Sequence, residues 1–87
     1  MTNVPFLTTD KQPAIDAAKA RIATTDKLTP FDIARIAVKT KRTFYLTCCI
    51  LEDKDLLPRG TYNRILRSTL SIPTAMKIAR NYETTNF

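Results

Sequence analysis

The fold is decided by residues 28–51, LTPFDIARIAVKTKRTFYLTCCIL. Thr29 is a good N-terminal cap, and Pro30 takes the first helical position, where its missing N–H costs nothing. Asp32 follows three residues after the cap and places a carboxylate near the positive end of the helix dipole. The sequence therefore predicts a helix that starts at Thr29.

The second half of this stretch is apolar at nearly every position. From Thr43 it reads TFYLTCCIL, and a helix of that composition is expected to be buried on all sides at the centre of the domain. A strand is also possible, but no second strand is present to pair with it, so a helix is preferred. The pattern leaves open whether this helix continues the previous one or starts afresh at Thr43. The two adjacent cysteines of this segment, Cys48 and Cys49, are expected to be reduced and to lie in or near the core.

Three further helices are predicted around this stretch. The first is capped by Asp10 and ends near Thr24, a short one occupies about residues 59–68 after the only glycine, and the last is capped by Ser71 and runs to Tyr82. The fold class is therefore all-α, a small single-domain bundle of four to five helices. Residues 1–9 are expected to form a flexible N-terminal arm, residues 10–83 the helical domain, and residues 84–87 a frayed C-terminus.

Composition removes several classes of function. The chain has no histidine, which is the commonest general base and metal ligand, and its two adjacent cysteines cannot form a four-ligand zinc site. A single glycine cannot build a glycine-rich phosphate loop. We expect no enzyme activity, no cofactor and no metal. The absence of a secretory pattern or a long apolar run predicts a cytoplasmic protein without a membrane partner.

Positive charge is concentrated in one part of the sequence. Residues 1–34 are neutral, so the whole formal charge of +6 belongs to residues 35–87. Such an excess attracts polyanions through a long-range field and the release of counterions.

The helix predicted at 59–68 has one basic polar side. Tyr62, Ile65 and Leu66 are expected to anchor it to the core, so the residues that face outward would be Arg59, Thr61, Asn63, Arg64 and Arg67. Asparagine can pair with adenine and arginine with guanine in the major groove, and arginine or threonine can hold phosphate. A solvated helix face is the other interpretation of the same pattern.

Residues 57–82, LPRGTYNRILRSTLSIPTAMKIARNY, resemble the recognition helix and following helix of the lambda-repressor-like helix-turn-helix family, which includes Cro-type repressors and antitoxins. The family pattern R-x-T-x-x-R-I-L matches residues 59–66, and A-L-K-I-A matches residues 75–79. The resemblance implies a DNA-binding helix at about 59–68. The segment before it departs from the pattern, because residues 48–57 contain no glycine and are several residues too long for the tight turn.

A second helix-turn-helix register covers residues 32–45, DIARIAVKTKRTFY. Here Val38 replaces the glycine of the turn, and the reading helix would be the apolar segment that starts near Thr43. This register ranks second, because a reading helix must keep one face in solvent. In either register the side chains of Lys39, Lys41 and Arg42 could contact phosphate.

Together these patterns predict a small transcriptional regulator that binds double-stranded DNA, as a homodimer if paired half-sites are read. The alternative is a protein-binding inhibitor or adaptor of phage or mobile-element origin, which would bind an acidic protein through the same basic face. RNA binding is a minor possibility, since exposed stacking aromatic residues are not evident.

Overall fold

The computed structural model describes residues 11–85, and within that range it contains five helices and no strand. They are α1 (Gln12–Thr25), α2 (Pro30–Thr40), α3 (Phe44–Asp53), α4 (Thr61–Arg67) and α5 (Ile72–Thr85). The all-α prediction is confirmed, and the apolar run from Thr43 is a helix. The predicted arm, the expected cap Asp10 and residues 86–87 lie outside the described residues. None of the five helices is long and apolar enough to cross a membrane.

The start of α2 is fixed by the capping box that the sequence predicts. The amide of Asp32 donates to Oγ1 of Thr29 over 3.2 Å, and the amide of Thr29 donates to Oδ2 of Asp32 over 3.0 Å. Nε of Arg21 in α1 donates to the other carboxylate oxygen over 2.9 Å. Burial acts to raise the pKa of Asp32, but the hydrogen bonds from Thr29 and the charge of Arg21 outweigh it and hold that pKa below its ordinary value.

A tight turn separates α2 from α3. Lys41 adopts a left-handed conformation, with φ 58° and ψ 43°, and its amide donates to the carbonyl of Val38 while the amide of Arg42 donates to that of Ala37. This pair of bonds is the usual end of a helix, although glycine is the residue that normally occupies the left-handed position. The hydroxyl of Thr43 then accepts a hydrogen bond from the amide of Leu46, so α3 starts afresh at Thr43.

The core lies between α1, α2 and α3 and extends to α4 and α5. Its largest fully buried side chains are those of Ile33, Thr47, Cys48 and Leu51. The expectation that α3 is buried on all sides is wrong. Tyr45 and Leu46 are 53% and 49% exposed and Cys49 is exposed, so one side of α3 is partly open to solvent.

The last helix, α5, packs against α2. The rings of Phe31 and Tyr82 meet edge to face with centroids 5.8 Å apart. Nε of Arg35 donates to Oε2 of Glu83 over 2.8 Å, and the same guanidinium lies 4.4 Å from the centre of the Tyr82 ring. These contacts hold α5 beyond Tyr82, so the helix continues to Thr85 where the sequence predicts fraying.

Candidate nucleic-acid interface

The short helix α4 is positioned by a carboxylate of α3. Oε1 of Glu52 accepts a hydrogen bond from the amide of Gly60 over 3.1 Å, and Oε2 accepts one from the amide of Tyr62 over 3.2 Å. Gly60 has a φ of +84°, a value that suits glycine better than any other residue. Sequence reasoning missed this role of Glu52, which has no local pattern because its partners lie eight and ten residues away.

Aromatic rings and one aliphatic side chain hold the inner side of α4. The Tyr62 ring lies 4.9 Å from that of Tyr45 and 6.3 Å from that of Phe44, centre to centre, and Ile65 is buried. Leu66 was expected to join them, but it is 53% exposed. A seven-residue helix turns less than twice, so Tyr62 and Ile65 occupy the side that meets the core and leave Leu66 beyond it.

Four of the five residues predicted to face outward do so. Arg59, Asn63, Arg64 and Arg67 are exposed, and no carboxylate of the described residues lies within 4.0 Å of the three guanidinium groups. The fifth prediction, Thr61, is wrong. Thr61 is buried because its hydroxyl donates to the carbonyl of Pro58 and closes the turn that leads into α4.

The other three predicted contacts lie at the end of α2. Lys39 and Lys41 are exposed, whereas Arg42 is half-buried and has interactions of its own. Lys39 and Lys41 line a shallow groove together with residues of α5, and no α4 residue lines it. The structure therefore places the two lysines with Arg80, a residue that the sequence did not single out.

The two helix-turn-helix registers differ in their connections. Only three residues, 41–43, join α2 to α3, whereas seven, 54–60, join α3 to α4. A helix-turn-helix unit has a turn of three or four residues, so the α2–α3 pair has the appropriate length. The turn lies later than the second register placed it. Val38 is still helical, and the left-handed residue is Lys41.

Other chemistry is sparse in the described residues. No group of three or more histidine, cysteine or acidic residues in the range 11–85 could hold a metal ion. Cys48 is fully buried, and that burial raises the pKa of its thiol to about 12. Cys49 is exposed, so the expectation that both thiols lie in or near the core holds only for Cys48.

Comparison of the chain with protein-family models, with curated proteins and with solved structures finds no match.

Proposed function

We propose that this chain is a small transcriptional regulator that binds double-stranded DNA through the arginine face of α4, the exposed side chains of Arg59, Arg64 and Arg67. The observation that carries the proposal is that Arg59, Arg64 and Arg67 are exposed on one short segment and have no carboxylate partner among residues 11–85. An arginine cluster without acidic partners is an electrostatic footprint for phosphate, and Asn63 adds a side chain that can pair with adenine.

The turn between α2 and α3 supports the same class of function by a second arrangement. In that arrangement α3 would enter the major groove and the arginines of α4 would hold the flanking phosphates. The exposed side of α3 carries Tyr45, Leu46 and Cys49, which offer apolar contacts such as those made to a thymine methyl group. The ring contact between Tyr45 and Tyr62 makes the two helices neighbours.

The experiment starts with duplex DNA and RNA of random sequence, titrated onto the purified chain at two salt concentrations. A preferred site selected from a random duplex library is then used for variants. Arg64→Ala is expected to lose about 1–3 kcal/mol of binding free energy if Arg64 reads a base. Arg64→Lys keeps the charge but loses the paired N–H donors, so it should lose most of the same selectivity.

Lys19→Ala is the matched control, because it removes one positive charge from an exposed position of α1. We expect it to leave affinity and selectivity almost unchanged. Equal affinity of the wild type and Arg64→Ala for the selected site would contradict a base-reading role for α4. Equal affinity together with a selectivity change in Leu46→Ala would assign the reading helix to α3. We expect a dimer on a two-fold symmetric site, which the binding stoichiometry would reveal.

One observation favours a second candidate function, a protein-binding inhibitor or adaptor. Leu66 is a large apolar side chain exposed on α4, which carries the arginine face, and Tyr45 and Leu46 are exposed on its neighbour α3. Apolar side chains with arginine among them are typical of the centre of protein interfaces. A stable stoichiometric complex with an acidic protein that survives nuclease treatment, with no salt-dependent DNA binding, would support this function over the first.

A further inference from the structure

The ends of α2 and α5 form an open groove that the proposed function does not use. Its lining residues are Val38, Lys39, Lys41, Arg80, Glu83 and Thr84, and its volume is about 440 Å³. Three of these six side chains are cationic and one is anionic.

The anionic side chain of the groove is already neutralised. Oε2 of Glu83 lies 2.8 Å from Nε of Arg35, and this ion pair is largely shielded from solvent, with side-chain exposures of 24% for Arg35 and 14% for Glu83. No carboxylate of residues 11–85 forms an ion pair with Lys39, Lys41 or Arg80. The groove therefore has three positive charges without a partner in the described part of the chain.

The backbone at Lys41 gives a second reason to look for a ligand. A left-handed conformation costs an L-residue with a side chain roughly 1–2 kcal/mol, and glycine or asparagine would adopt it more readily. Backbone strain of this kind is more frequent at functional sites than elsewhere. Lys41 is one of the residues that line the groove.

We propose that this groove binds a phosphodiester group of the nucleic-acid backbone, with Lys39, Lys41 and Arg80 as its ligands. The inference rests on the proposed function for the identity of the polyanion, and it adds Arg80 and a second contact region apart from the arginines of α4. Phosphate contacts of this kind fix the orientation of a protein on DNA without reading sequence.

The end of α2 offers a competing explanation for two of these charges, because Lys39 lies in its last turn and Lys41 follows it, and cations near the C-terminal end of a helix stabilise its dipole. The two explanations predict different measurements. Dipole stabilisation predicts that removal of the cations lowers the stability of the free protein. A phosphate site predicts that their removal lowers the salt dependence of DNA binding.

The test compares wild type with the double variant Lys41→Asn/Arg80→Gln. Asparagine tolerates the left-handed conformation and glutamine is a good helix former, so both substitutions suit the fold. The control Lys11→Gln/Lys19→Gln removes the same charge from two exposed positions, one just before α1 and one in its middle. For random duplex DNA, the slope of log affinity against log salt should become shallower by about two units in the groove variant and much less in the control.

Changes in the amide chemical shifts, measured by NMR as DNA is added, distinguish this inference from the proposed function. Shifts at Lys39, Lys41 and Arg80 as well as on α4 would support both. Shifts on α4 alone, or an unchanged salt slope in the groove variant, would overturn the phosphate groove and leave the proposed function standing. Shifts at the groove alone would overturn the role of α4 and keep the groove. A loss of thermal stability in the groove variant with the wild-type slope would assign the cations to the stability of the free protein.

Discussion

The carboxylate of Asp32 joins three groups at the start of α2. It accepts hydrogen bonds from the amide and hydroxyl of Thr29 and from the guanidinium of Arg21. Only 3% of the residue's surface is exposed, so these three donors take the place of water. The sequence predicts the bond to Thr29, because a capping box is set by residues three positions apart. The bond to Arg21 depends on the packing of α1 against α2 and has no local pattern.

Asp32→Asn is expected to lower the free energy of unfolding by about 1–2 kcal/mol at neutral pH, because the side-chain amide has no charge and only one acceptor oxygen for the donors of Thr29 and Arg21. The folded pKa of Asp32 is lowered from 3.8, so the unfolded state binds more protons between the two values. The stability that the carboxylate contributes is complete above 3.8 and is lost as the pH falls through the folded pKa. Urea denaturation across pH should show the variant and wild type converging in acid.

The exposed residue Asp53 provides the control for this prediction. Asp53→Asn should change stability by no more than about 0.5 kcal/mol, as surface substitutions usually do. A stability difference between Asp32→Asn and wild type that stays constant from neutral pH to strong acid would contradict the assignment of a lowered pKa to Asp32.

Lys41→Gly tests the cost of the left-handed residue. Relief of roughly 1–2 kcal/mol of backbone strain is partly offset by about 0.5–1 kcal/mol of extra chain entropy in the unfolded state, so we expect a net gain of up to about 1 kcal/mol. The midpoint of urea unfolding should rise. Lys39→Gly, inside α2, should instead lose about 1 kcal/mol. A loss of stability in Lys41→Gly would show that the lysine side chain stabilises the free protein.

At the scale of helices, the Arg35–Glu83 ion pair links α2 to α5. Glu83→Gln leaves the half-buried guanidinium without its anion, and we expect a loss of about 1–3 kcal/mol, the usual range for a hydrogen bond to a charged group. Hydrogen exchange should speed up in α5 more than in α1. Asp16→Asn, which removes an exposed acid from α1, is the control. Equal exchange in α5 of Glu83→Gln and wild type would contradict this link.

Helix positions and helix faces differ in how far the sequence predicts them. The start of α2 follows from the local capping chemistry of Thr29, so the sequence is sufficient there. The start of α3 at the cap Thr43 was one of two alternatives that the sequence left open, and the structure decides between them. The exposed side of α3 could not be predicted, because a run that is apolar at nearly every position has no preferred face. Which side stays open is decided by the neighbours, and these leave Tyr45 and Leu46 uncovered.

At the scale of the molecule, six of the ten cations of residues 35–87 lie in two regions. Arg59, Arg64 and Arg67 belong to α4 and its approach, and the sequence predicts their exposure because Ile65 and Tyr62 mark the inner side of the helix. The meeting of Lys39 and Lys41 with Arg80 could not be predicted, because it requires α5 to lie along α2 with their ends together. Charge counts along a sequence show that a cationic surface exists, and the packing of helices decides how many separate patches it forms.

Cys48 is buried and Cys49 is exposed, so the native chain can be labelled chemically at a single cysteine. A maleimide dye should modify Cys49 alone in the folded protein, since Cys48 is fully buried and its pKa is raised to about 12. Mass spectrometry should show one label before denaturation and two after it. A fluorophore on Cys49 would stand on the open side of α3 beside the arginine-bearing helix, and could report the arrival of a binding partner there without any engineered substitution.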